Sequence, residues 1–143
     1  METTDPKSLS VDVYGTPKPQ GSKVVQRGHV RDARDDSRAW RDAMVSEMRV
    51  ASRQVSGARM SGPVRLEAAF QFHRPATGSA VRHGWPYTSR TPDLDKLLRA
   101  VCDALQISGI INNDCQIVAT AASKGFIGAG EKEGVCLTVT SML

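Results

Sequence analysis

Residues 91–114 read TPDLDKLLRAVCDALQISGIINND, and the fold turns on how this stretch is read. At about 100° per residue, Leu94, Leu97, Leu98, Val101 and Leu105 gather on one stripe, while Asp95, Arg99 and Asp103 share the other side. That pattern predicts one amphipathic helix with a core face and a charged face. Thr91 precedes Pro92 and is biased towards extended backbone, which makes Asp93 the N-cap and leaves Asp95 in the first turn. Taken singly, each aspartate has an ordinary role: a cap, a complement to the helix dipole, or a rung of an i, i+4 ladder running Asp95, Arg99, Asp103. The combination is less ordinary, because Asp114 in INND stands just before another strand-like segment with no helix to cap. Hard cations such as Mg2+ take a few carboxylate oxygens with water and substrate phosphate. Two aspartates at i and i+2, joined by a third from a neighbouring strand, suit that preference. Spacing alone leaves a metal site and a surface ladder both open.

The segments on either side of this helix complete the fold. Before it, PVRLEAAFQF sets Val64, Leu66, Ala68, Phe70 and Phe72 on one side and Arg65, Glu67 and Gln71 on the other, the period of two that marks a half-buried strand. After it come a strand near CQIVATAAS, a glycine-rich turn at GFIGAGEKEG and a closing strand VCLTVTSM. Near the start, LSVDVYG alternates as a short strand that stops at Gly15. A first helix, capped by Asp36 or Ser37, carries Trp40, Ala43, Met44 and Ala51 at helical spacing through about Val55. The expected architecture is α/β (α+β): a single domain with a mixed β-sheet and two main helices in the order β-α-β-α-β-β. Residues 1–8 are expected to form a flexible N-terminus and 9–143 the domain.

A chain of 143 residues with 40% hydrophobic content suffices for one core and not for two. The net charge of +4 and pI near 9.2 suit an anionic partner such as nucleic acid. The three cysteines, Cys102, Cys115 and Cys136, form no C-x-x-C pair, so neither a zinc knuckle nor a redox motif is expected. METTDPKSLS lacks the basic start and apolar run of a signal peptide, and no stretch approaches the roughly 20 apolar residues of a membrane span. The expectation is a cytoplasmic protein with no membrane partner. Two loops are basic: TPKPQGSKVVQRGHVRDARDDS, which has room for a small hairpin, and the segment from Arg74 to Arg90, with His73, His83, Trp85 and Tyr87 in or beside it. No G-x-S-x-G elbow offers a covalent nucleophile. His83 is a candidate for substrate contact, while His29 and His73 have no assigned role.

The motifs PDLDKLLRAVCDAL and GIINNDCQIV resemble those of the RusA family of Holliday junction endonucleases, with VYGTPKPQGSK, RAWRDAM and the HRP after FQF as supporting likenesses from Val11 to Met142. The resemblance implies that Asp93, Asp95 and Asp114 are metal-binding, catalytic carboxylates, that Arg99 falls where a functional lysine is usual, and that Asp103 belongs to the Asp-Ala-Leu element. Where the family commonly has paired aspartates this sequence has Asn113-Asp114, so the site's charge falls by one. Asp103 and Asn113 are expected to support the ligands from behind. A guanidinium at Arg99 can grip phosphate with two hydrogen bonds but does not donate a proton as an ammonium can, which points to clamping. The implied activity is hydrolysis of four-way branched DNA by water activated at Mg2+, with Mn2+ as an alternative. A homodimer making paired cuts in recombination or repair is implied too, of a kind phages and prophages often encode. Lys18, Lys23, Arg27, Arg31, Arg34, Arg82 and Arg90 are candidates for backbone phosphate contacts. Two other readings compete. Asp-x-Asp also holds Mn2+ in glycosyltransferases, which need a larger nucleotide-binding sheet. A non-catalytic module for branched or single-stranded DNA is favoured by Asn113, although 5% aromatic content is poor for a single-strand stacking platform.

Overall fold

The computed structural model describes residues 7–20, 23–26, 29–32, 34–55 and 59–143, and for 23–26, 29–32 and 34–35 the backbone alone. Its strands are β1 (Ser8–Tyr14), β2 (Lys23–Gln26), β3 (His29–Asp32), β4 (Val64–Phe72), β5 (Ile117–Phe126) and β6 (Gly134–Ser141). Its helices are α1 (Arg34–Gln54), the short α2 (Ser79–His83) and α3 (Leu94–Ser108), with a 3-10 turn at Asp114–Gln116. The expected order β-α-β-α-β-β holds for the main elements. The first basic loop contains the small hairpin β2–β3, and the second contains α2.

Four strands form one mixed sheet in the order β1-β6-β4-β5. Alternation along β1, β6 and β4 puts one apolar row on a common face. Val139 stands between Leu9 and Leu66, Leu137 between Val11 and Ala68, and Val135 between Val13 and Phe70, all buried. Trp40, Met44 and Met48 of α1 and Leu97, Val101 and Leu105 of α3 close over that face. The core stripe predicted for α3 is therefore present. Leu94 and Leu98 flank it half-buried, and Ala100 and Ala104 let the helix settle closely. The other face of the sheet carries polar side chains, with Ser10 near Thr138 at 3.2 Å and Arg65 on Glu67 at 3.0 Å.

β4 and β5 run parallel, so the chain must cross the sheet between them, and α3 makes that crossover. The consequence for function is directional: α3 starts beyond the C-terminal end of β4 and returns the chain to the start of β5. Two expectations are corrected. The first helix begins at Arg34, so Asp36 and Ser37 lie inside it; the Ser37 hydroxyl donates to the Pro19 carbonyl at 2.7 Å and ties down the preceding loop. Cys115 and Gln116 belong to the 3-10 turn, and β5 starts at Ile117.

Candidate active site

Asp93 occupies the N-cap position of α3, with extended backbone at φ −69 and ψ 139, yet its side chain makes no capping hydrogen bond. Its carboxylate instead lies 3.6 Å from the Lys96 ammonium and remains exposed. A cap residue that does not cap keeps its oxygens free for another partner. Asp95 is exposed in the first turn, and Arg99 is exposed one turn further along. Beside Asp93 opens a cleft of about 390 Å3, lined among others by Thr16, Lys18, Phe72, Thr91 and Lys96. Two ammonium groups at the mouth of a cleft that also holds a carboxylate suit a bound phosphate next to a bound cation.

The approach to Asp93 is braced by a residue that periodicity did not single out. Lys124 on β5 donates to the carbonyls of Arg90 and Pro92 at 2.8 and 2.9 Å, holding the strap immediately ahead of the motif. The amino-terminal loop is stitched down in turn. The Gln20 amide N–H donates to Lys96 O at 3.2 Å, and the Gln20 side chain donates to the Asp103 carboxylate. Asp103 is thus a loop anchor. Among the described residues no ion pair joins Asp95, Arg99 and Asp103, so the surface ladder does not form.

Asp114 stands just ahead of β5. It opens the 3-10 turn, and Asn113 caps that turn by accepting from Cys115 N at 3.0 Å, while Gln116 Oε1 accepts from Asn113 N at 3.0 Å. The neutral residue at 113 therefore has a structural use that an aspartate could also serve. Gln116 also donates to the carbonyls of Met60 and Gly62 at 2.8 and 2.9 Å, so this one side chain locks the entry to β5. The Asp114 N–H donates to Gln106 Oε1 at 3.2 Å. Gln106 lies eleven residues beyond Asp95 on the same helix, about 16 Å along its axis. Asp93 and Asp95 thus stand at the start of α3, while the Asp114 backbone lies against Gln106 and its charge reaches Cys102 between them. Among the described residues no group of three or more His, Cys, Asp or Glu side chains gathers as a metal centre would.

Electrostatics agree with this placement. Burial, and then the nearby charges of Asp114 and Asp103, push the Cys102 thiol up to about 11. It stays protonated at neutral pH and offers no nucleophile. Glu133, between β5 and β6, accepts from Thr16 Oγ1 at 2.8 Å and His73 N at 2.9 Å. Burial alone would raise its carboxyl, but those hydrogen bonds, with the charges of His73 and Lys18, outweigh burial and hold it below the usual value. Of the predicted phosphate contacts, Lys18 lines the cleft, and Arg82 and Arg90 lie exposed on the second loop. Arg27 and the side chains of Lys23, Arg31 and Arg34 lie outside the described residues, as does the side chain of His29. His83 is exposed and stacks on Trp85, whereas the His73 backbone binds Glu133.

The fold and the cleft define a small mixed α/β domain whose basic loops flank an acidic helix start. The family model described as Endodeoxyribonuclease RusA matches residues 12–139, and the chain belongs to that family. Membership makes it a nuclease of the Holliday junction resolvase kind, a hydrolase acting on DNA. A comparison with curated proteins found none that matches. Among the described residues no helix is long and apolar enough to cross a membrane.

Proposed function

We propose that the domain, spanning residues 9–143, is a divalent-metal-dependent endonuclease that resolves four-way DNA junctions as a homodimer in recombination or repair in the cytoplasm. The observation that carries this reading is the uncapped, exposed Asp93 carboxylate beside Lys96, at a cleft whose approach Lys124 holds in place. Asp93 and Asp95 fit Mg2+, or Mn2+, as the one or two carboxylates such an ion takes alongside water and phosphate. Bound there, the ion would polarise the scissile phosphate and lower the pKa of a water. Lys18 and Lys96 steer the backbone into the cleft, and Arg99 grips a phosphate oxygen in bidentate fashion.

In this reading Asp114 enters the site across a two-fold axis, since its backbone lies at Gln106, further along α3 than Asp95. Two α3 helices lying antiparallel about an axis near Arg99 and Cys102 set Asp95 of one copy near the partner's Asp114. Each catalytic site is then shared between the copies. A junction has approximate two-fold symmetry and needs two matched cuts, which a symmetric dimer delivers.

The test is a cleavage assay on a synthetic four-way junction, a linear duplex and a single strand, each with and without Mg2+. Paired, metal-dependent nicks on the junction alone are expected. Junction binding without cleavage under any metal would replace this reading with a non-catalytic branched-DNA module.

A further inference from the structure

The segment between β4 and α3 carries an aromatic cluster that the catalytic reading leaves unused. Trp85 is 41% exposed and Tyr87 62% exposed, and the His83 ring stacks on the indole at 5.2 Å with an 18° interplanar angle. Large aromatics left open on a well-anchored surface mark a partner site. This surface is anchored. Thr88 N donates to Lys124 O at 3.0 Å, Phe126 N to Pro86 O at 3.3 Å and Trp85 N to Ala80 O at 3.1 Å. The Arg74 guanidinium lies 4.6 Å over the Phe126 ring. Between His73 and Pro92 the chain has three arginines and no carboxylate, a charge that suits an anionic partner.

The same elements enclose a cavity of about 210 Å3, lined by Trp85, Phe126, Arg90, Ser79, Thr88 and Ser89 among others. It offers two aromatic walls, one guanidinium and three hydroxyls, which is the chemistry that receives a planar, hydrogen-bonding ring. The Arg90 guanidinium passes close over Gly78, where a Cβ would fall 2.7 Å from its Nη2. Arg90 precedes Asp93 by three residues, a span of at most about 11 Å. A base seated in the cavity would therefore lie within about three nucleotides of a phosphate at Asp93.

We propose that this cavity receives one unstacked nucleobase from the branch point of the DNA, with Trp85 as its stacking platform and the arginine-rich loop holding the adjoining phosphates. The inference rests on the junction-nuclease reading and adds a basis for its selectivity. Extracting a base from intact duplex costs unpairing and unstacking, and that cost is least where the base is already unpaired or strained, as at a branch. The site thereby discriminates branched from linear DNA without reading sequence.

The test places 2-aminopurine, one position at a time, at the branch-point nucleotides and in the arms of a four-way junction, with cleavage followed on the same DNA. With wild-type protein, emission should change at one or two branch positions and at none in the arms. Trp85→Ala should abolish that change and weaken junction binding about 5- to 150-fold, leaving duplex affinity and the salt slope as they were. Trp85→Phe should restore most of both. Ser89→Tyr, which fills the cavity from an exposed position, should reproduce the alanine result if Trp85→Ala misfolds. Wild-type cleavage of junctions with no emission change at any branch position would overturn this proposal alone. Absence of junction binding and cleavage by wild-type protein would overturn the nuclease reading and this proposal with it.

Discussion

Lys124 shows how far a single side chain can act from the chemistry. Its ammonium satisfies two carbonyls on the strap before Asp93, and charge-assisted hydrogen bonds of this kind contribute about 1.5–3 kcal/mol. Lys124→Met keeps the stem and removes the donors. It should lower kcat for junction cleavage at least tenfold while binding changes little, as single-turnover cleavage and a separate titration would show; loss of binding with cleavage per complex unaltered would contradict the role. Glu133 makes a pH-dependent contribution. Its folded pKa lies below the ordinary 4.5, so the stability it adds is present above that value and fades as pH falls through the folded pKa. Glu133→Gln should be less stable than wild type at neutral pH, and the gap in Tm should close on acidification below about pH 4.5; a gap constant with pH would refute this. At this scale the sequence was partly legible. The start of α3, with Asp93 at the N-cap and Asp95 in the first turn, was legible from Pro92 and the apolar stripe. Gln20, Gln116 and Lys124 act through contacts with residues distant in sequence, and no local pattern encodes such contacts.

Among the elements, the pairing of β1 with β6 depends on one close approach. Gly134 stands opposite Tyr14, and a Cβ there would collide with the Val13 carbonyl oxygen, a backbone atom that cannot turn aside. Gly134→Ala should destabilise the domain by about 1–3 kcal/mol, read as a lower midpoint in chemical denaturation with an unchanged m-value; an unchanged midpoint would mean the strands can part without cost. The strands were legible because alternation at β1, β4 and β6 serves one buried face. Their partners were not. The parallel pairing of β4 with β5 follows from α3 crossing the sheet, a relation that spans more than fifty residues. The first helix was placed three to four residues late because Asp36 and Ser37 look like caps, while Ser37 spends its hydroxyl on Pro19. Asn113, read as a loss of charge, caps a turn that residue patterns did not reveal.

For the whole molecule, the basic loops and the acidic helix start should separate in their salt dependence. Lys18→Ala should weaken junction binding about equally for all arm sequences and lower the salt slope by about 1, whereas Arg99→Ala should depress cleavage far more than binding. The proposed site takes Asp114 from the partner copy, and subunit mixing tests that arrangement most directly. Asp93→Asn and Asp114→Asn proteins should each be inactive alone. In a heterodimer of the two, a shared arrangement puts both substitutions in one site and leaves the other site intact, so differently tagged, co-purified heterodimers should regain Mg2+-dependent nicking of one strand per junction. Heterodimers as inactive as either parent, beside wild-type protein that cleaves, would show that each site is built within one chain and contradict the account.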